Sequence, residues 1–101
     1  MREIYVYEAI KEAVVEEMRR DERVFLTGEA VGPSGTSPTR PPKEIMEEFG
    51  EDRVRETGII EQMLAAGSAG AALAGMRPIV DLMMADFLFP AWNEILQSGL
   101  W

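Results

Sequence analysis

Glu61 is the residue of this chain best placed to do chemistry. It follows Glu56-Thr57-Gly58-Ile59-Ile60, a short β-like stretch, and precedes an Ala/Gly-rich helical stretch that starts at Gln62. A carboxylate at a strand-to-helix junction stands where an α/β protein contacts its ligand, outside the carboxyl end of a strand. Two preceding isoleucines predict partial burial, which raises a carboxylate's pKa. An acid tuned in that way can share a proton with a bound group near neutral pH. A structural reading stands beside this one. With Gly58 as N-cap, Glu61 falls at N3, the usual place of a capping glutamate.

The rest of the composition narrows the chemistry. The 101 residues include no cysteine and no histidine. That removes thiol nucleophiles, disulfides, a Ser-His-Asp triad and zinc sites built on nitrogen or sulfur. No Asp-rich loop of the EF-hand kind is present for a hard cation. The 18 acids against 10 bases give a net charge of −8, which repels nucleic acid and anionic membranes at long range. These acids fall mainly along Glu8–Asp21 and Lys43–Asp52, as solvated helix faces. No apolar run reaches the length of a membrane span, and no basic-then-apolar leader opens the sequence. The expectation is a soluble cytoplasmic chain with no nucleic-acid or membrane partner. A hydrophobic content of 47% in this length fits one small globular domain.

The elements that must position Glu61 follow from spacing. Ala9, Ile10, Ala13, Val14 and Met18 recur at helical intervals, predicting a helix over Tyr5–Arg20. Asp21-Glu22 reads as a turn. Val24-Phe25-Leu26 reads as a strand ending at Thr27-Gly28-Glu29. Pro33, Pro38, Pro41 and Pro42, with Gly32 and Gly35, make Val31 to Pro42 a loop. A short helix over Lys43–Phe49 stops at Gly50, and Arg53–Glu56 is a second strand. Gln62–Ala74 is helical, with Gly67 and Gly70 inside; close packing is the expected compensation for their cost of about 1 kcal/mol each. Their spacing lacks the dinucleotide fingerprint. Arg77 to Met84 reads as a third strand covered on both faces. Asp86 is expected to cap a last helix carrying Phe87, Leu88, Trp92, Ile95, Leu96 and Leu100, with Pro90 in its first turn. Such alternation predicts an α/β fold: a parallel sheet of three strands with four helices on both faces. A sheet so thin leaves the apolar last segments needing more protein around them.

In this order the chain resembles the start of the β subunit of the thiamine-diphosphate-dependent 2-oxo acid dehydrogenases, the E1 component of pyruvate and branched-chain complexes. The likeness runs from Ile4 and Glu8-Ala9-Ile10 through Phe25-Leu26-Thr27-Gly28-Glu29, Glu47-Glu48-Phe49-Gly50 and Arg53-Val54. Its most specific part is Glu61-Gln62, then Gly70-Ala71-Ala72-Leu73-Ala74-Gly75-Met76-Arg77-Pro78-Ile79-Val80, then Asp86-Phe87. The resemblance implies a transketolase-like pyrimidine-binding domain, with residues 1–101 as its truncated N-terminal portion and no second domain. It implies that Glu61 is catalytic and hydrogen-bonds N1′ of the cofactor's aminopyrimidine, promoting loss of the proton from C2. It also implies that Met83 and Phe87 pack against the pyrimidine ring; ordinary core packing is the alternative for both.

Several departures accompany the likeness. Family members usually carry proline where this chain has Gly58 and a small residue where it has Ile60. The loop from Pro33 to Pro42 lacks the usual Gly-Gly-x-Phe character. The family's active-site histidine has no counterpart among these residues. The resemblance further implies that thiamine diphosphate binds only in a complete α/β assembly. Its diphosphate and Mg²⁺ would be held by an E1 α subunit, and a second β chain would complete the oligomer. On this reading the isolated chain is inactive. The other function class is a non-catalytic acidic interaction module that docks through its apolar C-terminal helix. Both predict self-association, through surface a three-stranded sheet cannot cover.

Overall fold

The computed structural model describes residues 1–32 and 43–98. The loop expected across 33–42, and Leu100 in the last helix, lie outside the described residues. Helix α1 spans Val6–Arg20. The Tyr5 N–H donates to Glu8 Oε2 at 2.9 Å, which is one half of a capping box. Only the second half of the predicted apolar stripe is packed. Met18 is buried with Val14 and Val15 against it, whereas Ile10 is 47% exposed. Arg53 closes the other end. Its guanidinium donates to the carbonyls of Met18 at 2.6 Å, Asp21 at 3.0 Å and Val24 at 2.7 Å, and lies over the Phe49 ring. A cation therefore satisfies carbonyls at the negative end of α1.

Strand β1 runs Val24–Glu29, longer than its apolar core suggested. Helix α2 is Lys43–Phe49, as expected, and Gly50 at φ 75° stops it. Strand β2 is Val54–Thr57 and helix α3 is Glu61–Leu73. Gly75 adopts φ 98°, the left-handed conformation open to glycine. There the Met76 N–H reaches Ala71 O and the Gly75 N–H reaches Ala72 O, both at 3.0 Å, forming a Schellman end.

Strand β3 is Arg77–Asp81. It stops three residues short of the expected Met84, because the Asp81 carboxylate captures the backbone at Met83. A single 3-10 turn, Ala85–Phe87, then leads into helix α4, Leu88–Ser98. Asp86 lies inside that turn, so the helix it was expected to cap starts two residues after it, at Leu88. Pro90 does fall in the first turn of α4.

Among the described residues the sheet is parallel, in the order β2-β1-β3. Leu26 sits opposite Val54 and Ile79, and Gly28 opposite Glu56 and Asp81. One face carries the main core: Val24, Leu26 and Val54 against Met18 of α1 and Ile45 of α2. The alternate β1 residues Thr27 and Glu29 are buried too, as a central parallel strand requires. Leu64 and Ala91 are buried on α3 and α4, outside the main cluster. Thus the α/β class, the three strands, the four helices and their order all hold. The expected close packing at Gly67 and Gly70 does not: a Cβ on either would meet nothing within 4 Å.

Candidate functional site

Parallel strands bring their carboxyl ends to one edge of the sheet, and the segments that leave this edge carry every candidate residue. Glu61 comes four positions after β2. It is the first residue of α3, with Ile60 as N-cap, and the cap makes no side-chain hydrogen bond. The reading of Glu61 as an N3 capping glutamate is therefore corrected. Gly58 lies too early, because its carbonyl accepts the Ile60 N–H at 3.0 Å and the helix starts only afterwards. Glu61 is half-buried. The flanking isoleucines do not supply that burial, since Ile59 is 76% and Ile60 51% exposed.

The carboxylate that burial perturbs most clearly is Glu29, at the end of central β1. It is 1% exposed. Among the described residues neither of its oxygens has a hydrogen-bond partner of good geometry. Desolvation pushes its pKa above the ordinary value near 4.5, and the charge of Glu61, then that of Asp81, pushes the same way. The Ile60 N–H opposes this shift without reversing it, and that N–H is also given to Gly58 O. The charge of Glu61, at the start of α3, thus bears on Glu29 at the end of β1. The signal for Glu29 was present as an acid closing an apolar strand. Its burial comes from tertiary packing that no local pattern contains.

This arrangement fixes a pH dependence. The folded pKa of Glu29 lies above its unfolded value, so the folded state binds the proton more tightly. The penalty is absent at pH 4, where the group is protonated folded or unfolded. It grows as pH rises through the raised folded value. Glu29→Gln should therefore raise the melting temperature at pH 8, because it removes the buried charge while leaving a neutral polar group of nearly the same shape. The gain should shrink toward pH 4. Thermal unfolding of parent and variant across that range is the measurement, and equal gains at both ends would contradict the assignment.

Met83 and Phe87 leave the same edge after β3. Met83 is half-buried and lines an apolar cleft of about 340 Å³ between α1, β1, β3 and the turn that follows, with Ile10, Val14, Leu26, Ile79 and Leu88. Phe87 is half-buried in the 3-10 turn. Neither Glu61 nor Phe87 lines that cleft. The charge of Glu61 bears on Glu29, and Met83 sits in a separate apolar recess. By residue type alone, a half-buried acid suits the polar edge of a nitrogen heterocycle and a thioether its flat face. Among the described residues no cluster of three acids could hold a metal ion. No helix there is long and apolar enough to cross a membrane.

The family described as transketolase, pyrimidine binding domain, matches residues 2–101. The 2-oxoisovalerate dehydrogenase subunit beta of Bacillus subtilis (strain 168) is 45% identical over 92 residues, 91% of this chain and 28% of that protein. Pyruvate dehydrogenase E1 component subunit beta-3, chloroplastic, of Oryza sativa subsp. japonica is 43% identical over 93 residues, 92% of this chain and 24% of that protein. Pyruvate dehydrogenase E1 component subunit beta of Gracilaria tenuistipitata var. liui is 40% identical over 99 residues, 98% of this chain and 30% of that protein. The chain thus spans less than a third of the length of these relatives.

Proposed function

The chain belongs to the family of transketolase pyrimidine-binding domains, and from that premise we propose that it forms the aminopyrimidine side of a thiamine diphosphate site in a 2-oxo acid dehydrogenase E1 assembly. The observation that carries the reading is Glu61 itself: a half-buried acid opening α3 at the carboxyl edge of a parallel sheet, its charge bearing on buried Glu29. The cofactor, when bound, supplies the carbanion chemistry that decarboxylates a 2-oxo acid. Glu61 holds a proton at the ring nitrogen N1′. Met83 and Phe87 contact the ring and keep water from it. The diphosphate and Mg²⁺ belong to an α-type companion subunit.

This division of labour predicts an inactive isolated chain. Thiamine diphosphate, Mg²⁺ and pyruvate or 2-oxoisovalerate should yield carbon dioxide only when the chain is part of a complete α/β assembly. Decarboxylation by the chain alone, or a complete assembly that binds no cofactor, would overturn the proposal. A second reading, the docking module, has its own observation: Phe89 is 80%, Trp92 53% and Leu96 40% exposed on α4. Under that reading partner capture is the function and Glu61 contributes nothing to it.

A further inference from the structure

The turn after β3 is held in a conformation that its sequence alone does not favour. Leu82-Met83-Met84 continues an apolar run that reads as strand, yet Met83 adopts φ 68°. The Met84 N–H donates to Leu82 O at 2.8 Å, an i to i+2 bond that closes a γ-turn with Met83 at its apex. The positive-φ form of this turn is rare and strained, and it persists only where surrounding contacts impose it. The imposing contact is specific: Asp81 Oδ1 accepts the Met83 N–H at 2.7 Å, an Asx-turn in which the carboxylate replaces the next strand partner. Asp81 is itself anchored. It is the last residue of β3, opposite Gly28, and the absence of a Cβ at Gly28 lets the Asp81 backbone sit against β1.

We propose that Asp81 is a positioning residue: its carboxylate pins the γ-turn and so sets the Met83 side chain against the cofactor's pyrimidine ring. The inference rests on the reading that Met83 meets that ring, but the hold of Asp81 on the turn can be tested without any ligand. Asp81 has a second connection to the site, since its charge also bears on Glu29. Substitution by asparagine removes this charge while keeping an acceptor oxygen. The Asp81→Asn and Asp81→Ala variants therefore separate the two roles.

The experiment uses the chain labelled at methionine methyls and backbone amides. Asp81→Ala should speed hydrogen exchange at the Met83 amide by at least about ten-fold and move the Met83 methyl resonance. Asp81→Asn should keep protection near the parent value. Asp81→Ala should lower the melting temperature less in a Met83→Gly background than in the parent, because glycine reaches positive φ unaided. An unchanged Met83 amide in Asp81→Ala, or equal behaviour of the Ala and Asn variants, would overturn the proposal. In the complete assembly, thiamine diphosphate with Mg²⁺ should shift the Met83 methyl in the parent and in Asp81→Asn, and not in Asp81→Ala. If the parent methyl stays still although cofactor binds, the contact between Met83 and the ring is wrong and the positioning role falls with it. The exchange result would still show what holds the turn.

Discussion

Glu61→Gln, made in a complete assembly carrying this chain, should lower 2-oxo acid decarboxylation by about 10²–10⁴-fold, the usual contribution of a positioned proton-transfer group. The melting temperature should not fall appreciably. Glu61 is the first residue of α3, where a carboxylate gains at most about 0.3–1 kcal/mol from the helix dipole. Its loss therefore has little structural consequence. Glutamine has nearly the same shape and can still hydrogen-bond, but it cannot hold and release a proton. The deficit should consequently appear in kcat more than in cofactor affinity. A second readout comes from Glu29. Since the charge of Glu61 helps to raise the Glu29 pKa, the Gln variant should make the loss of stability between pH 4 and pH 8 smaller than in the parent. Glu61→Asp retains the acid but withdraws it by one methylene, so it should fall between parent and Gln. Full activity in Glu61→Gln would remove the catalytic reading and leave docking through α4 as the function supported by the surface.

Much of the architecture was legible because local rules and tertiary packing agree. Helix α2 was placed correctly at both ends, since Gly50 both ends the apolar pattern and takes the left-handed φ that stops a helix. Gly75 takes the same left-handed φ after α3, whose expected end at Ala74 falls one residue past the observed Leu73. The misreadings share a cause: a side chain acting at a distance. Arg53 reads as the start of a strand, yet it caps α1 across about 30 positions of sequence. Leu82-Met83-Met84 reads as strand, but a carboxylate two residues back folds it into a turn. Glu61 reads as an N3 cap because Gly58 resembles one, whereas the helix starts two residues later than that. Glu29 was passed over because burial of an acid is a property of the packed sheet. The candidate site was therefore half visible. The sequence points to the edge from which the site residues emerge, and the fold decides which acid is sealed from water.

The same edge predicts the most damaging small substitution. Gly28 is buried in β1 and lies directly between Glu56 of β2 and Asp81 of β3. A Cβ there would fall well inside van der Waals contact with the Asp81 backbone oxygen, and 3.0 Å from both Asp81 Cβ and Val31 Cγ1. A flexible side chain could swing aside, but a carbonyl in a strand cannot without breaking the β1–β3 ladder. Gly28→Ala should therefore cost about 3 kcal/mol, the upper end of ordinary overpacking. In a domain of this size each kcal/mol is worth about 4–8 °C of melting temperature. The loss should show plainly in thermal unfolding followed by circular dichroism. Gly67→Ala and Gly70→Ala are the controls. They place the same methyl group on helix positions with nothing within 4 Å, and alanine favours helix by about 1 kcal/mol over glycine, so both should melt at or above the parent. If Gly28→Ala melts with them, the close approach of β3 to β1 is wrong. The anchoring of Asp81, and of the turn that carries Met83, would then lose its physical basis.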